Sequence, residues 1–508
     1  MWRSSVIAVC GLLSSTSVMA IMDVGDAHAC ATVGTVLKCW GNNERGQLGR
    51  GDTNTTGDEP DEMGDDLVPV DLGTGEVADE IALGKEHSCV LLSSGDVKCF
   101  GYNDKGQLGQ GNTMSLGELP NQLGDDLPAI DFGTGLSAVQ VTVGCDHTCV
   151  LLDDDSVKCF GYNSDGQLGQ GTTDNIGDDP GEMGDNLTAV PLGGVSVIAI
   201  SAGCDFSCAV SDDGDVMCWG QNADGQLGTG DNENRLDEDD EDVVVVDLGE
   251  SEAVGIAAGE SHVCALLADA TVKVRGSNNV GQLGLGDTID RGDDAALLGG
   301  NLTTVQFGAD DVPTSLDLGT SHSCALLEDG AIKCFGENGH GELGIGSTVN
   351  VGELPTDMGE NLAAVDLGGT ASDMAAGGSS SCAVLDDGSI KCWGLGNSGQ
   401  LGQGNDENIG DEAGVLADTA AIDLGTEVNT TTASPTPSPS SLMTTAGPSP
   451  LPSQQARPSA SPTVEFSSAE PTTAPSSTGT NAASGTAVGG LLAAVVVGAT
   501  GFLGVLFM

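Results

Sequence analysis

The tetrapeptide Gly-Gln-Leu-Gly begins at Gly46, Gly106, Gly166, Gly225, Gly281 and Gly399, and returns as Gly-Glu-Leu-Gly at Gly341, at intervals of 60, 60, 59, 56, 60 and 58 residues. Seven copies at near-constant spacing mean one structural unit used seven times, so chain length is no guide to the number of domains. Whatever this chain folds into must be an array of equivalent units.

The second copy shows the grammar of the unit. Glu80 to Leu83 reads as a short strand ending at Gly84. His87-Ser88-Cys89-Val90-Leu91-Leu92 is a second strand, Ser93-Ser94-Gly95 a turn, and Asp96-Val97-Lys98-Cys99-Phe100 the returning strand. An acidic loop follows from Gly117 to Asp126, and Pro128-Ala129-Ile130-Asp131-Phe132 reads as a fourth strand. Four short strands per unit describe a propeller blade. The apolar runs do not alternate cleanly with polar residues, as expected when neighbouring blades cover both faces of each sheet. The 78 glycines and only 3% aromatic residues point to tight turns and small side chains rather than one large aromatic core.

The segment His322-Ser323-Cys324-Ala325-Leu326-Leu327-Glu328-Asp329-Gly330-Ala331-Ile332-Lys333-Cys334-Phe335-Gly336, running on to Gly344, resembles the repeat of the regulator of chromosome condensation family. The resemblance recurs seven times over residues 21–427. It implies an all-β fold, a seven-bladed β-propeller of four-stranded blades. It is far less informative about function, because one fold hosts many functions. The founding activity of that family, guanine nucleotide exchange on a small GTPase, stays as an alternative.

Cysteines recur with the same phase. Cys30/Cys39, Cys89/Cys99, Cys149/Cys159, Cys208/Cys218, Cys324/Cys334 and Cys382/Cys392 each fall within one repeat. In a hairpin turning at Ser93-Ser94-Gly95, Cys89 lies opposite Cys99, at the Cα spacing a disulfide accepts. Six hairpin disulfides are expected. Zinc is the rival, but it wants four converging ligands and one strand pair offers two. Cys145 and Cys204 occupy the same phase of repeats three and four, which is compatible with a disulfide between adjacent blades. Cys264 is unpaired, because Val274 stands where its partner belongs and Arg275 replaces the aromatic residue that follows.

The formal net charge is −61, from 15 Lys+Arg against 76 Asp+Glu. Nucleic acid and direct contact with anionic lipid are therefore excluded as partners, since both demand clustered cations. An extracellular protein or glycan, or divalent cations, suit such a surface better. The acidic loops, Gly57 to Asp66 and its relatives together with Asp237 to Asp242, are read first as solvated loops. Weak, shared calcium binding is the alternative, although none has the alternating ligands of a known calcium loop. His28, His87, His147, His262 and His322 sit two residues before the first cysteine of their repeats, where repeats four and seven carry Phe206 and Ser380. A metal-binding or pH-sensing ring is weighed against structural histidines bonding a neighbouring blade, and the resemblance implies the latter. Asn54, Asn186, Asn301 and Asn429 head Asn-x-Ser/Thr glycosylation sequons. No nucleophile elbow, phosphate loop or zinc-protease helix is present in the sequence, so no catalytic residue and no cofactor is assigned and the chain is read as a non-enzyme. Only Trp40, Trp219 and Trp393 lie beyond the leader, too few for a light-absorbing tryptophan cluster.

The two ends supply an address. Arg3, an apolar stretch from Val6 to Leu13 and a small-residue site at Val18-Met19-Ala20 lay out a secretory signal peptide over residues 1–20. Residues 428–486 are rich in Ser, Thr and Pro and read as a disordered, O-glycosylated stalk. Residues 487–508 are uncharged and apolar, long enough for a membrane span. Because no Lys or Arg follows, and Ser476, Ser477, Gly479 and Asn481 lie upstream, a cleaved glycolipid-anchor signal is favoured over a retained span. The expectation is a membrane-tethered binding or scaffold propeller on the cell surface.

Overall fold

In most repeats a run of six buried residues, such as His87–Leu92, returns on itself through a four-residue turn, Ser93 to Asp96, into a second buried run, Val97–Gly101. Hairpins buried on both faces cannot stand alone. They are covered only when identical hairpins flank them. The computed structural model describes residues 20–235 and 244–426, and it arranges them in that way.

Seven sheets form, one per repeat. Their first strands are Met22–Val24, Ala78–Leu83, Ala138–Val143, Val197–Ala202, Ala253–Ala258, Pro313–Leu318 and Ala371–Gly377. Each pairs antiparallel with the strand that carries the first cysteine, and that strand pairs antiparallel with the third. The first strands of successive sheets touch one another in a closed circuit, with Ala371–Gly377 against Met22–Val24 completing it. This is a ring of seven blades around an axis lined by the first strands. Blade one supplies an inner strand of three residues, where the other blades supply six or seven. That short strand is tied in at both sides: Ile21 O accepts from Thr32 N, and Asp23 Oδ2 accepts from Leu83 N at 2.7 Å.

One expectation is corrected. A fourth strand is formed only in blade four, at Val245–Val246. In the other six blades the corresponding segment makes a single ladder bond to the third strand, for example Ile130 N to Val97 O at 2.9 Å. Proline does not account for the difference, because Pro69 of blade one bridges Lys38 just as Thr304 and Ala364 of the proline-free blades five and six bridge Lys273 and Lys333. What sets blade four apart in sequence is the β-branched run Val243 to Val246, whose residue type favours extended pairing.

The tetrapeptide marks where blades meet. Its first glycine is left-handed in repeat after repeat, with φ +77° at Gly46 and +84° at Gly106. A Cβ on Gly106 would lie 2.4 Å from the Asp178 amide of the next blade's acidic loop. Both the turn and the contact therefore require glycine. The leucine two residues on is fully buried, as at Leu48, Leu108 and Leu168. Its amide is held by an asparagine of the same loop, Asn103 Oδ1 accepting from Leu108 N at 2.9 Å.

The expected signal peptide to residue 19, the acidic run Asp237 to Asp242, the stalk, the apolar tail and Asn429 all lie outside the described residues.

Candidate functional site

The sequence-predicted histidines are not gathered into one centre. Each lies in its own seam between two blades, as one step of a repeated relay. His28 Nε2 meets Ser88 Oγ at 2.8 Å, and that hydroxyl donates to the carbonyl of Gln47 at 2.8 Å. His87 meets Thr148, His147 meets Ser207, His262 meets Ser323 and His322 meets Ser381, at 2.8 to 3.1 Å. Since the hydroxyl spends its proton on the carbonyl, the imidazole donates from Nε2. Burial holds all five rings neutral: His28, His87 and His262 fall to about 3, His147 and His322 to about 4. A glycine makes room for each ring. A Cβ on Gly84 would lie 2.7 Å from His87 Cε1 and 2.6 Å from the Gly144 carbonyl.

The two seams without histidine change both partners together. Phe206 of blade four packs with Val263 of blade five in one apolar cluster. Ser380 of blade seven occupies the histidine position, and blade one has Ala29 where the hydroxyl would stand. The partner residue thus follows the histidine position, although it belongs to the next repeat.

Six hairpin disulfides close within blades: Cys30–Cys39, Cys89–Cys99, Cys149–Cys159, Cys208–Cys218, Cys324–Cys334 and Cys382–Cys392, with Cα separations of 4.0 to 4.1 Å. Cys145–Cys204 joins blades three and four across 4.5 Å. Five of the six hairpin sulfur pairs pack on the aromatic residue of the following blade, for instance Cys89–Cys99 with Phe160 and Cys149–Cys159 with Trp219. Blade five breaks the pattern twice. Cys264 faces Val274, remains a buried thiol, and is pushed up to about 12 by burial. Arg275 replaces the aromatic residue and puts a guanidinium against the blade-four disulfide.

Sequence reading missed a row of lysines. Lys38, Lys98, Lys158, Lys273, Lys333 and Lys391 stand one residue before the second cysteine position, on a strand that is otherwise apolar, and all are buried. Five of them donate to the outer-segment carbonyl of the preceding repeat: Lys98 to Leu72, Lys158 to Phe132, Lys333 to Phe307, Lys391 to Leu367 and Lys38 to Leu424, at 2.6 to 3.0 Å. Among the described residues Lys273 bonds only Gly299 and Leu302 of its own repeat, and blade four has Met217 instead. A charged residue recurring inside an apolar strand was the available signal.

The acidic loops are partly self-satisfied. Glu62 Oε2 accepts from Gly57 N and Glu59 N, and Glu182 Oε2 accepts from Gly177 N and Asp179 N. Asp125 and Asp185 accept from the amide and hydroxyl of Thr74 and Thr134 in the preceding repeat. These carboxylates hold backbone rather than standing free. Among the described residues no group of three or more His, Cys, Asp or Glu converges as a metal site. Asn54, Asn186 and Asn301 are exposed.

Carboxylates remain around the axis. Burial raises Asp26, Asp146, Asp205 and Glu260, at one end of the ring, with Asp205 reaching about 6. Lys85 is the cation facing three of them. On the first strands, burial lifts Glu80 and Asp317 to about 7 and raises Asp23 and Asp373. Asp23 and Asp317 also accept amides of the next blade, Leu83 N and Ala376 N.

The family model of the RCC1-like domain matches residues 36–430. The ultraviolet-B receptor UVR8 of Arabidopsis thaliana is 27% identical over 393 residues, 76% of this chain and 78% of that protein. The probable E3 ubiquitin-protein ligase HERC6 of Homo sapiens is 30% identical over 270 residues, 53% of this chain but only 24% of that protein. Among solved structures, Prp20p of Saccharomyces cerevisiae, studied for its binding to Gsp1p and histones, aligns with a TM-score of 0.56 at 20% identity. That alignment covers 81% of this chain and 88% of the other. Yeast RCC1 (Prp20) with Kap60 bound gives 0.57 at 21% identity, covering 77% and 84%. At such identity the structural likeness shows the fold alone. In this chain Trp40, Trp219 and Trp393 are each buried in a separate seam, donating to the carbonyls of Gln400, Gln167 and Glu342.

Proposed function

This chain belongs to the RCC1-like domain family, and from that premise we propose that it is an exported, membrane-tethered member that binds a protein partner through a covalently braced seven-bladed ring and performs no chemistry itself. The observation that carries the reading is the seven disulfides. Bonds of this kind form and persist in oxidising compartments, which a cytosolic or nuclear family member does not meet. The signal-like leader and the apolar tail fit the same route. In each blade the outer segment serves as a rudimentary fourth strand.

The partner is read from charge. Of the 15 cationic residues, six lysines and Arg275 are buried in seams. Arg50, Arg235 and Arg291 pair with Asp52, Asp231 and Asp287. The surface is left almost purely anionic, which favours a basic protein surface and repels nucleic acid and anionic lipid. Calcium shared between acidic loops is a lesser contributor under this reading, because so many loop carboxylates already accept amides. An exchange-factor role would instead need a GTPase of the cytosol or nucleus.

The test is expression of the full chain in a eukaryotic secretory host. The expected result is surface labelling, release by a phosphatidylinositol-specific phospholipase, and a single alkylatable thiol after denaturation. Retention in the cytosol with many free thiols would overturn the reading and reopen the exchange-factor alternative.

A further inference from the structure

We propose that Cys208–Cys218 is a thiol–disulfide exchange site, selectively opened by a dithiol reductant because the Arg275 guanidinium is built against it. Arg275 is fully buried. Its Nη2 lies 2.9 Å from Cys218 Sγ and 3.9 Å from Cys208 Sγ, and its Nε donates to the Gln226 carbonyl at 2.9 Å. Nη1 has no partner, and Arg275 forms no ion pair among the described residues. A buried cation without a counter-ion is a costly arrangement. A disulfide sulfur is a weak, neutral acceptor and relieves little of that cost, whereas a thiolate at the same place would relieve much of it.

Reduction supplies that thiolate. The thiolate of the dithiol attacks Cys208 Sγ, a bond forms between those sulfurs, and the Cys208–Cys218 bond breaks. Its electron pair leaves on Cys218 Sγ, the sulfur nearer the guanidinium. The second thiol of the reductant then attacks its own mixed-disulfide sulfur and releases Cys208 as a thiol. Overall the protein disulfide takes two electrons and one proton, the dithiol becomes a disulfide, and the remaining proton goes to solvent. Stabilising the reduced form against the oxidised one raises the reduction potential, and lowering the pKa of the leaving thiol speeds its departure. The other five hairpin disulfides lack this feature: their next-blade neighbours are Phe100, Phe160, Trp219, Trp393 and Trp40.

Cys208 and Cys218 are buried in the closed ring, so the dithiol reaches them when the same seam opens. Between blades four and five, Phe206 and Val263 replace the histidine–hydroxyl relay, and among the described residues Lys273 makes no bond to the preceding repeat. It lacks two of the ties found at most other seams. The titratable group that couples to Arg275 is the Cys264 thiol, but burial pushes it up to about 12 and keeps it neutral, so it is neither a counter-ion nor the exchange partner. It alternates with Arg275's neighbour Val263 on its strand and faces blade six, with Phe335 in its cluster.

The experiment equilibrates the full chain at pH 7 in graded reduced and oxidised dithiothreitol, traps free thiols, and quantifies each cysteine peptide by mass spectrometry. Cys208–Cys218 is expected to be half-reduced at a reductant ratio at least tenfold lower than Cys89–Cys99, about 30 mV for a two-electron couple. Arg275→Phe, which restores the residue found in other repeats, removes the lead, and Arg275→Lys keeps part of it. Co-reduction of all hairpins in the unsubstituted protein overturns the proposal, as does a lead unchanged in Arg275→Phe. Should Arg275→Phe fail to fold, the alkylation rate of Cys218 in the partly reduced parent decides. A rate sustained down to pH 6 supports the thiolate–guanidinium pair, and a rate falling tenfold per pH unit from pH 8 rejects it.

Discussion

The seam between blades three and four and the seam between blades four and five are built on one plan from different materials. The first has Cys145–Cys204, the His147–Ser207 relay, the Trp219 indole on the Gln167 carbonyl, and Gln167 Nε2 on Asp205 at 3.0 Å. The second has Phe206 on Val263, Arg275 in the indole's place, and an amide tie from Ala258 to Ser201 Oγ. Backbone ties cross both seams, such as Gly230 N to Gly292 O at 2.8 Å in the second, but the first adds a disulfide and a polar side-chain relay where the second has apolar packing and a single buried cation. A ring needs every seam closed, but it does not need every seam closed by the same chemistry. The seam without the disulfide and the relay is the one that can part at least cost.

The largest test of this contrast is to cut the covalent tie. Cys145→Ser with Cys204→Ser opens a loop with a sequence separation of 59 residues. Loop-closure entropy sets the loss at up to about 4 kcal/mol, read as a lowered midpoint in urea unfolding. The two seams should then unfold at more similar denaturant concentrations.

A smaller effect runs in the opposite direction. Val274→Cys gives Cys264 a partner in the facing register position. It should form a seventh hairpin disulfide, detected as loss of the free thiol, and raise stability by up to about 3 kcal/mol. A thiol that persists, with no gain, would mean that blade five diverges from the other hairpins.

Next, the polar relay can be moved. Phe206→His in the otherwise unchanged protein buries an imidazole against Val263 and should cost about 2 kcal/mol through an unsatisfied donor. Adding Val263→Ser should recover about half of that loss, and the coupling is measured by a double-mutant cycle.

The smallest effect at any one step of pH is the acid response. His147 is held at about 4 against an ordinary 6.5, so the folded chain binds fewer protons than the unfolded one. Its contribution is complete above pH 6.5 and is lost as pH falls toward 4. Replacing the pair by His147→Phe and Ser207→Val should flatten the stability profile across that window by up to about 1.4 kcal/mol per pH unit. Glu80 and Asp317, held at about 7, act in the opposite sense, contributing at low pH and losing that contribution as pH rises through about 7. They are common to both proteins and cancel in the difference.

Much of this was legible in the chain. The repeat, the hairpin cysteines and the absent partner of Cys264 follow from spacing alone, because each involves residues close in sequence within one unit. The contacts across seams were harder. That Val263 answers Phe206, and Ala29 answers Ser380, is visible only when each repeat is compared with the next one rather than with its equivalents. The lysine row was overlooked because a lysine in a sequence reads as solvent-exposed, whereas here its stem lies in the apolar seam and its ammonium on carbonyls of another repeat. The fourth strand was over-read: apolar residues there are buried, yet outside blade four the segment stops at a single bridge or one hydrogen bond to the third strand.

The sequence by itself determined the number of units, the pairing within each hairpin and the strongly anionic surface, since these depend on local spacing and composition. Only the tertiary structure decided how seams are closed, which carboxylates are buried near the axis, and that Arg275 meets Cys218 rather than an acid. Those facts depend on which side chain of one repeat is brought against which of the next. That is set by closing the ring, a constraint that acts over the whole circuit and is written in no single repeat.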